Sequence, residues 1–247
     1  MLKSSILMIL MISALQIYAV NIKFYCDEAP PYNYSEENKI TGIAVDWLEE
    51  MFEITGNKYK TEDIKLVPWA RGYNLLLNKP NTCMFSVART DERENKFLWV
   101  GPISEVTIVL LAKKEHNIKI NNNDDLKKYS ITTMKNDISE FALLKKGLNK
   151  KDLEYSSNNT ENFLKLKKGR VDLWACEKSV ASFEINNSDK PDEYVCAAIL
   201  EKSELYFAFN KKTRKEDIKE LQTAFNKLKK KNYKDLNDFK EYPFLKH

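Results

Sequence analysis

The sequence predicts an α/β architecture in two parts, and three observations carry that prediction. Short runs of β-formers alternate with runs of helical period along nearly the whole chain. The first third reads β-α-β-α-β, an order that calls for a parallel sheet covered by helices. The same plan then returns in the second half without any repeat of the residues themselves.

Taken in order, 21–26 (NIKFYC) alternates and reads as the first strand, followed by a rigid loop at Glu28-Ala29-Pro30-Pro31-Tyr32. Ile40-Thr41-Gly42 marks a turn. A helix is expected over 46–55, with Trp47, Leu48, Met51 and Phe52 on one face and Gly56 as its stop. A strand over 64–67 leads to a helix opened by Pro68-Trp69-Ala70-Arg71, with Leu75 and Leu76 inward. That helix ends before Lys79-Pro80, because a residue preceding proline avoids the α region. A buried strand follows over 83–88. The run 97–103 (FLWVGPI) leads into an apolar strand over 106–112, and 118–123 is a polar connection. Asp124 or Asp125 caps a short helix before a strand over 129–134. Helix 139–146 ends at Gly147, strand 153–156 follows, and helix 161–168 turns Phe163, Leu164 and Leu166 inward. Strand 171–176, helix 180–186 and strands 195–200 and 205–209 complete the second half. Thr213-Arg214-Lys215-Glu216 matches a capping box, and Ile218, Leu221, Phe225 and Leu228 then trace an amphipathic helix. The tail 232–247 is polar with aromatic anchors and is expected to wrap the surface.

Composition narrows the classes. Charged residues make up 31% of the 247 residues, the formal net charge is +4, and both signs are interspersed. No basic block suggests nucleic acid. Lys3 followed by the apolar run 6–15 and the small residue Ala19 reads as a secretory signal over 1–19, cleaved after Ala19. No later segment is apolar and long enough to span a bilayer. Export lets the four cysteines pair; Cys176 and Cys196 are the favoured pair, with free buried thiols the alternative. The only histidines, His116 and His247, sit in polar settings and CxxC is absent, which argues against zinc.

One stretch carries chemistry. Thr90 is a good N-cap, so a helix is expected just after it, with Arg93 in the first turn. A guanidinium beside free helical N–H groups is a competent seat for a carboxylate. The plainer alternative is a capped helix whose arginine is solvated or pairs with Asp91 or Glu94.

Several stretches together resemble a known family. They are Ala29-Pro30-Pro31-Tyr32, Thr41-Gly42-Ile43-Ala44-Val45-Asp46-Trp47-Leu48, Pro68-Trp69-Ala70-Arg71, Arg89-Thr90-Asp91-Glu92-Arg93, Trp99-Val100-Gly101-Pro102-Ile103, Gly169-Arg170-Val171-Asp172-Leu173-Trp174 and the 205–210 strand. In this order they look like the family 3 extracellular solute-binding proteins, the polar-amino-acid binders of ABC transporters. The resemblance implies the type II periplasmic binding-protein fold: two lobes, each a mostly parallel sheet flanked by helices, joined by two hinge strands near 106–112 and 203–207. Lobe one would be 21–108 with 205–247, and lobe two 109–204. It further implies a periplasmic monomer without cofactor or metal, which closes on a small polar ligand by hinge motion and presents it to a membrane permease.

Carried over residue by residue, the resemblance gives Arg93 the ligand α-carboxylate and Glu177 the α-amino group. Ser86 matches the small polar residues at the end of the preceding strand, whereas Ala88 lacks the hydroxyl usual there. Trp69 would pack on the ligand or in the core, and Arg71 would point into the cleft or to the surface. The loop Lys135-Asn136-Asp137 would lend backbone N–H groups, and Asp137 would stand near the bound carboxylate. Asp172 reads as structural. Ala29 lacks the ring that often lines this pocket. Two other functions compete: a sensor acting with a membrane partner, and an enzyme resembling cyclohexadienyl dehydratases, for which Glu177 would be the acid or base.

Overall fold

The computed structural model describes residues 22–56 and 59–230. The expected signal over 1–19 and the tail over 232–247 lie outside the described residues.

A single mixed sheet runs through the molecule. Its strands are β1 (Lys23–Cys26), β4 (Lys65–Leu66), β5 (Thr82–Ala88), β6 (Phe97–Lys113), β7 (Ile131–Met134), β8 (Leu153–Ser156), β9 (Leu173–Glu177) and β10 (Tyr194–Asn210). A small hairpin, β2 (Tyr34–Glu36) with β3 (Lys39–Thr41), stands apart. The sheet order is β4-β1-β5-β10-β6-β9-β7-β8. β4, β1 and β5 form one parallel wing and β9, β7 and β8 the other. Between them β6 and β10, each 17 residues long, pair antiparallel with one another from end to end.

Those two strands correct the expected segmentation. The sequence reads 97–103 and 106–112 as separate runs, and likewise 195–200 and 205–209. The structure makes one strand of each pair. The polar residues left between the runs, Ser104-Glu105 and 201–204, lie inside continuous strands. β6 changes outer neighbour along its length. Toward its end, from Ile108, it takes β9 on the side away from β10.

Helices cover the sheet: α1 (Ile43–Ile54), α2 (Trp69–Asn78), α3 (Asp91–Glu94), α4 (Ile138–Lys145), α5 (Asn159–Lys167), α6 (Lys178–Asn186) and α7 (Lys215–Lys230). The apolar positions of α1 that the sequence marked, Trp47, Leu48, Met51 and Phe52, are all buried, and Trp47 stacks on Phe225 of α7 at 4.6 Å. Leu164 of α5 is the exception to its expected inward face and is 41% exposed. Two predicted caps differ. Thr90 makes no side-chain cap bond and α3 is only four residues long. The Thr213 hydroxyl is buried without a hydrogen-bond partner, and α7 starts beyond it at Lys215. Ahead of β7, Asn122 rather than an aspartate is the cap residue, with Asp125 closing the box.

All four cysteines are free. Topology explains why Cys176 and Cys196 do not pair. Cys176 lies beside Val109 on one side of β6, and Cys196 beside Leu111 on the other. Two strand spacings separate them by roughly 10 Å, beyond the ~7 Å that a disulfide spans between Cα atoms.

Candidate functional site

In parallel α/β sheets, ligands bind outside the carboxyl ends of the strands. Here both wings point those ends at one cleft. A cavity of about 50 Å³ is lined by residues following β1 (Asp27), β4 (Trp69), β7 (Asp137) and β8 (Asn159), and by the ends of β5 (Ser86, Ala88) and β9 (Glu177). Its floor is Val106, Ile108 and Leu205 of the two long strands. A second cavity of about 220 Å³ adjoins it, lined by Asp27, Glu28, Leu66, Val67, Pro68, Trp69, Ser157 and Asn158. Asp27 and Trp69 line both.

Local folding places each side chain. In β5, Phe85 and Ser86 between the paired Met84 and Val87 oppose the single Phe207 of β10, so one residue is extra and the strand bulges. Ser86 takes the left-handed conformation there (φ 58°), a strained state for a residue with a Cβ. Its hydroxyl is buried without a hydrogen-bond partner. The loop after β1 is held by the Ala29 and Asn33 backbones, by a cis Pro30-Pro31 bond and by Asn33 Nδ2 donating to the Asp27 carbonyl at 2.7 Å. Gly42 lets α1 start against this loop: a Cβ there would lie 2.5 Å from the Tyr32 carbonyl oxygen. Tyr32 is thereby carried to the cavity wall.

The acids are arranged distinctively. Asp137 caps α4, accepting from the Ser139 N–H at 3.3 Å. Glu177 caps α6, accepting from the Ser179 and Val180 N–H groups at 2.7 and 3.0 Å. Glu140 accepts from the Asn136 N–H at 2.6 Å. Of the N–H groups expected to be lent by the 135–137 loop, that of Asn136 goes to the Glu140 carboxylate and that of Asp137 to the Met134 carbonyl. Burial pushes the Glu177 carboxyl up to about 7, against hydrogen bonds from Val180, Ser179, Tyr32 and Thr107. Burial also raises Asp27 to about 7, and the Asp137 charge adds to the rise.

Arg93 lies beside the cavity rather than in its wall. It is fully buried and absent from the cavity lining. Its Nη1 donates to the Ala88 carbonyl at 2.8 Å and its Nη2 to the Asn136 carbonyl at 2.7 Å, so it joins the two wings. Three ring faces surround the guanidinium, Trp69 at 5.4 Å, Tyr73 at 5.3 Å and Phe141 at 5.2 Å. Its Nε makes no hydrogen bond. Arg71 lies on the exposed side of α2 and does not line the cavity.

Five of the seven residues singled out in the sequence thus meet at the cavity: Trp69, Ser86, Ala88, Asp137 and Glu177. Trp69 serves the wall and the core at once. It is 4% exposed, stacks on Tyr73 at 5.7 Å, and its Nε1–H is buried with no partner. Asp172 ties the chain locally, accepting from Ser130 N and Oγ at 2.8 and 2.7 Å. Sequence reasoning missed Asp27 and Asn159. The available signal was position, since each comes soon after a strand of a parallel wing. No group of histidine, cysteine and carboxylate side chains among the described residues is arranged to hold a metal. No described helix is long and apolar enough to cross a membrane.

With this geometry, comparison with known proteins is informative. The family model "Bacterial extracellular solute-binding proteins, family 3" matches residues 22–239. An L-glutamate/L-aspartate-binding protein of Pseudomonas aeruginosa is 24% identical over 195 residues, 73% of this chain. The match spans 62% of that protein's length. Among solved structures, a histidine kinase sensor domain with similarity to periplasmic binding proteins superposes with a TM-score of 0.75 at 16% identity, covering 86% of this chain and 92% of that one. The arginine-, lysine-, histidine-binding protein ArtJ of Geobacillus stearothermophilus does so with a TM-score of 0.73 at 20% identity, covering 86% and 91%. At such identities these structures establish a shared two-lobed fold.

Proposed function

The chain belongs to the bacterial extracellular solute-binding proteins of family 3, and from that premise we propose that it is a periplasmic protein that captures a small polar, amine-bearing ligand, an amino acid or a related molecule, and delivers it to the membrane permease of an ABC transporter. It acts as a monomer and performs no chemistry on the ligand. One observation carries the reading: the cavity lies where the strand ends of two parallel wings meet, over the two long strands that join them. Residues 21–108 with 205–247 form one lobe and 109–204 the other. Bending of β6 and β10 near 106–112 and 203–207 opens and closes the cleft. Glu177 faces the ligand amine, Asp137, Ser86 and Trp69 line its seat, and Ala88 leaves space beside it. Arg93 acts through its position next to that seat.

A second reading has one specific support. The likeness to a histidine kinase sensor domain fits a chain that reports its ligand to a membrane partner.

A thermal-shift screen tests the proposal. The protein is unfolded and refolded to strip carried-over ligand, then scanned with L-amino acids, amines, di- and tricarboxylates and short peptides. A ligand bound only by the native state raises the melting temperature, by about 2.7 kcal/mol of stabilisation at a hundred times its Kd. A shift with an amine-bearing probe is expected, and silence across the panel would sink the solute-binding reading. Loss of cellular uptake of that ligand on deletion of the chain would favour transport. Intact uptake with a lost response would favour the sensor.

A further inference from the structure

The site's charge is unbalanced in a way that names a ligand class. Asp27, Asp137 and Glu177 line the inner cavity, and no lysine or arginine does. The Arg93 guanidinium stays outside the lining: Nη1 and Nη2 donate to two carbonyls, three ring faces surround it, and the only acid of the three whose charge it feels is Asp137, which leaves Asp27 and Glu177 without a cation. The N–H groups at the starts of α4 and α6, which would otherwise receive an anion, are capped by Asp137 and Glu177. A ligand carboxylate entering here would meet three acids in a partly dry space and find no cation among the lining side chains. A cationic head finds three acceptors, with the unpaired Ser86 hydroxyl as a fourth. The inner cavity is small, on the order of a few waters. It shares the walls Asp27 and Trp69 with the larger chamber, whose Leu66, Val67 and Pro68 suit an aliphatic stem and whose Glu28 suits a second positive end.

Building on the solute-binding reading, the geometry points to an elongated organic cation without a carboxylate, an alkyl diamine or guanidinoalkylamine. Its ammonium head sits among Asp27, Asp137 and Glu177, and its stem runs over Trp69 into the outer chamber. The cation replaces protons that burial favours on Asp27 and Glu177 in the empty site, so binding tightens as those two ionise.

Agmatine and arginine differ only in the carboxylate, which makes them the discriminating pair. Titration calorimetry on the refolded protein at pH 8, with agmatine, putrescine, arginine and glutamate as probes, is expected to give agmatine a Kd about tenfold or more below that of arginine. No binding of glutamate is expected. Asp27→Asn, a change of matching shape that removes one charge, is expected to weaken agmatine about tenfold without lowering the melting temperature. Arginine or glutamate binding as tightly as agmatine would overturn this inference and leave the solute-binding reading standing; Trp69 Nε1 and Arg93 would then be the carboxylate's seat. Unchanged agmatine affinity in Asp27→Asn would also overturn it. Absence of binding by every probe here and in the wider screen would overturn both.

Discussion

Two charged regions meet at the cleft and solve burial in opposite ways. Arg93 is a cation held by partners from both wings: the Ala88 and Asn136 carbonyls, the faces of Trp69, Tyr73 and Phe141, and the nearby charge of Asp137. The cavity beside it holds three carboxylates whose N–H partners satisfy only some of their lone pairs, with no basic side chain in the lining. In the first arrangement Nη1 and Nη2 find partners within the protein and Nε does not. The second is incomplete without protons or a bound cation, which gives it the character of a site. Charge type alone does not distinguish structure from function; the share of the partner set that the protein supplies does.

The comparison breaks most visibly at Arg93. Arg93→Ala strips two buried carbonyls of their donors and empties the space among three rings, so a stability loss of about 3–5 kcal/mol is expected. Urea unfolding of the ligand-free protein reads this as a lower midpoint. An unchanged midpoint together with lost binding would make Arg93 the ligand's seat rather than a strut between wings.

A smaller effect sharpens the other side. The Asp27 and Glu177 carboxyls have folded values raised to about 7, above the ordinary 3.8 and 4.5. The folded state therefore holds more protons than the unfolded state between about pH 4 and 7, and stability falls as pH rises through that window. The penalty is fully relieved below about pH 4, and it levels off once both groups have ionised. The fall adds over the two groups, since each carries its own shift. Glu177→Gln should flatten the slope in melting temperature against pH. A ligand-free protein whose melting temperature rises across the window would show that these acids are already matched by a cation.

Much of this was legible in the sequence. The β-α-β order of the first wing depends on short-range patterns, and Trp69, Ser86, Asp137 and Glu177 came from the resemblance to the family. Asp27 escaped notice because it falls between the expected strand over 21–26 and the stretch from Glu28 to Tyr32, which reads as a rigid loop. The turn at Glu37 and Asn38, both left-handed (φ 49° and 65°), closes a hairpin that its polar residues did not announce. The state of Arg93 was not readable locally either. Its partners come from positions 69, 73, 88, 136 and 141, and only the packed fold brings those together. The same holds for Cys176 and Cys196: nearness in sequence suggested a pair, and the strand between them forbids it.

The most direct test of the carboxylate cavity is a proton count. Agmatine is titrated into the refolded protein at pH 6 in two buffers of different ionisation enthalpy, and the difference in measured heat gives the protons exchanged. At that pH Asp27 and Glu177 are largely protonated in the empty site. The account predicts net proton release as the cation takes their place, at about one proton per ligand or more, reduced in Asp27→Asn and in Glu177→Gln. Binding with no proton release, or with uptake, would contradict a cavity built to exchange protons for a cation.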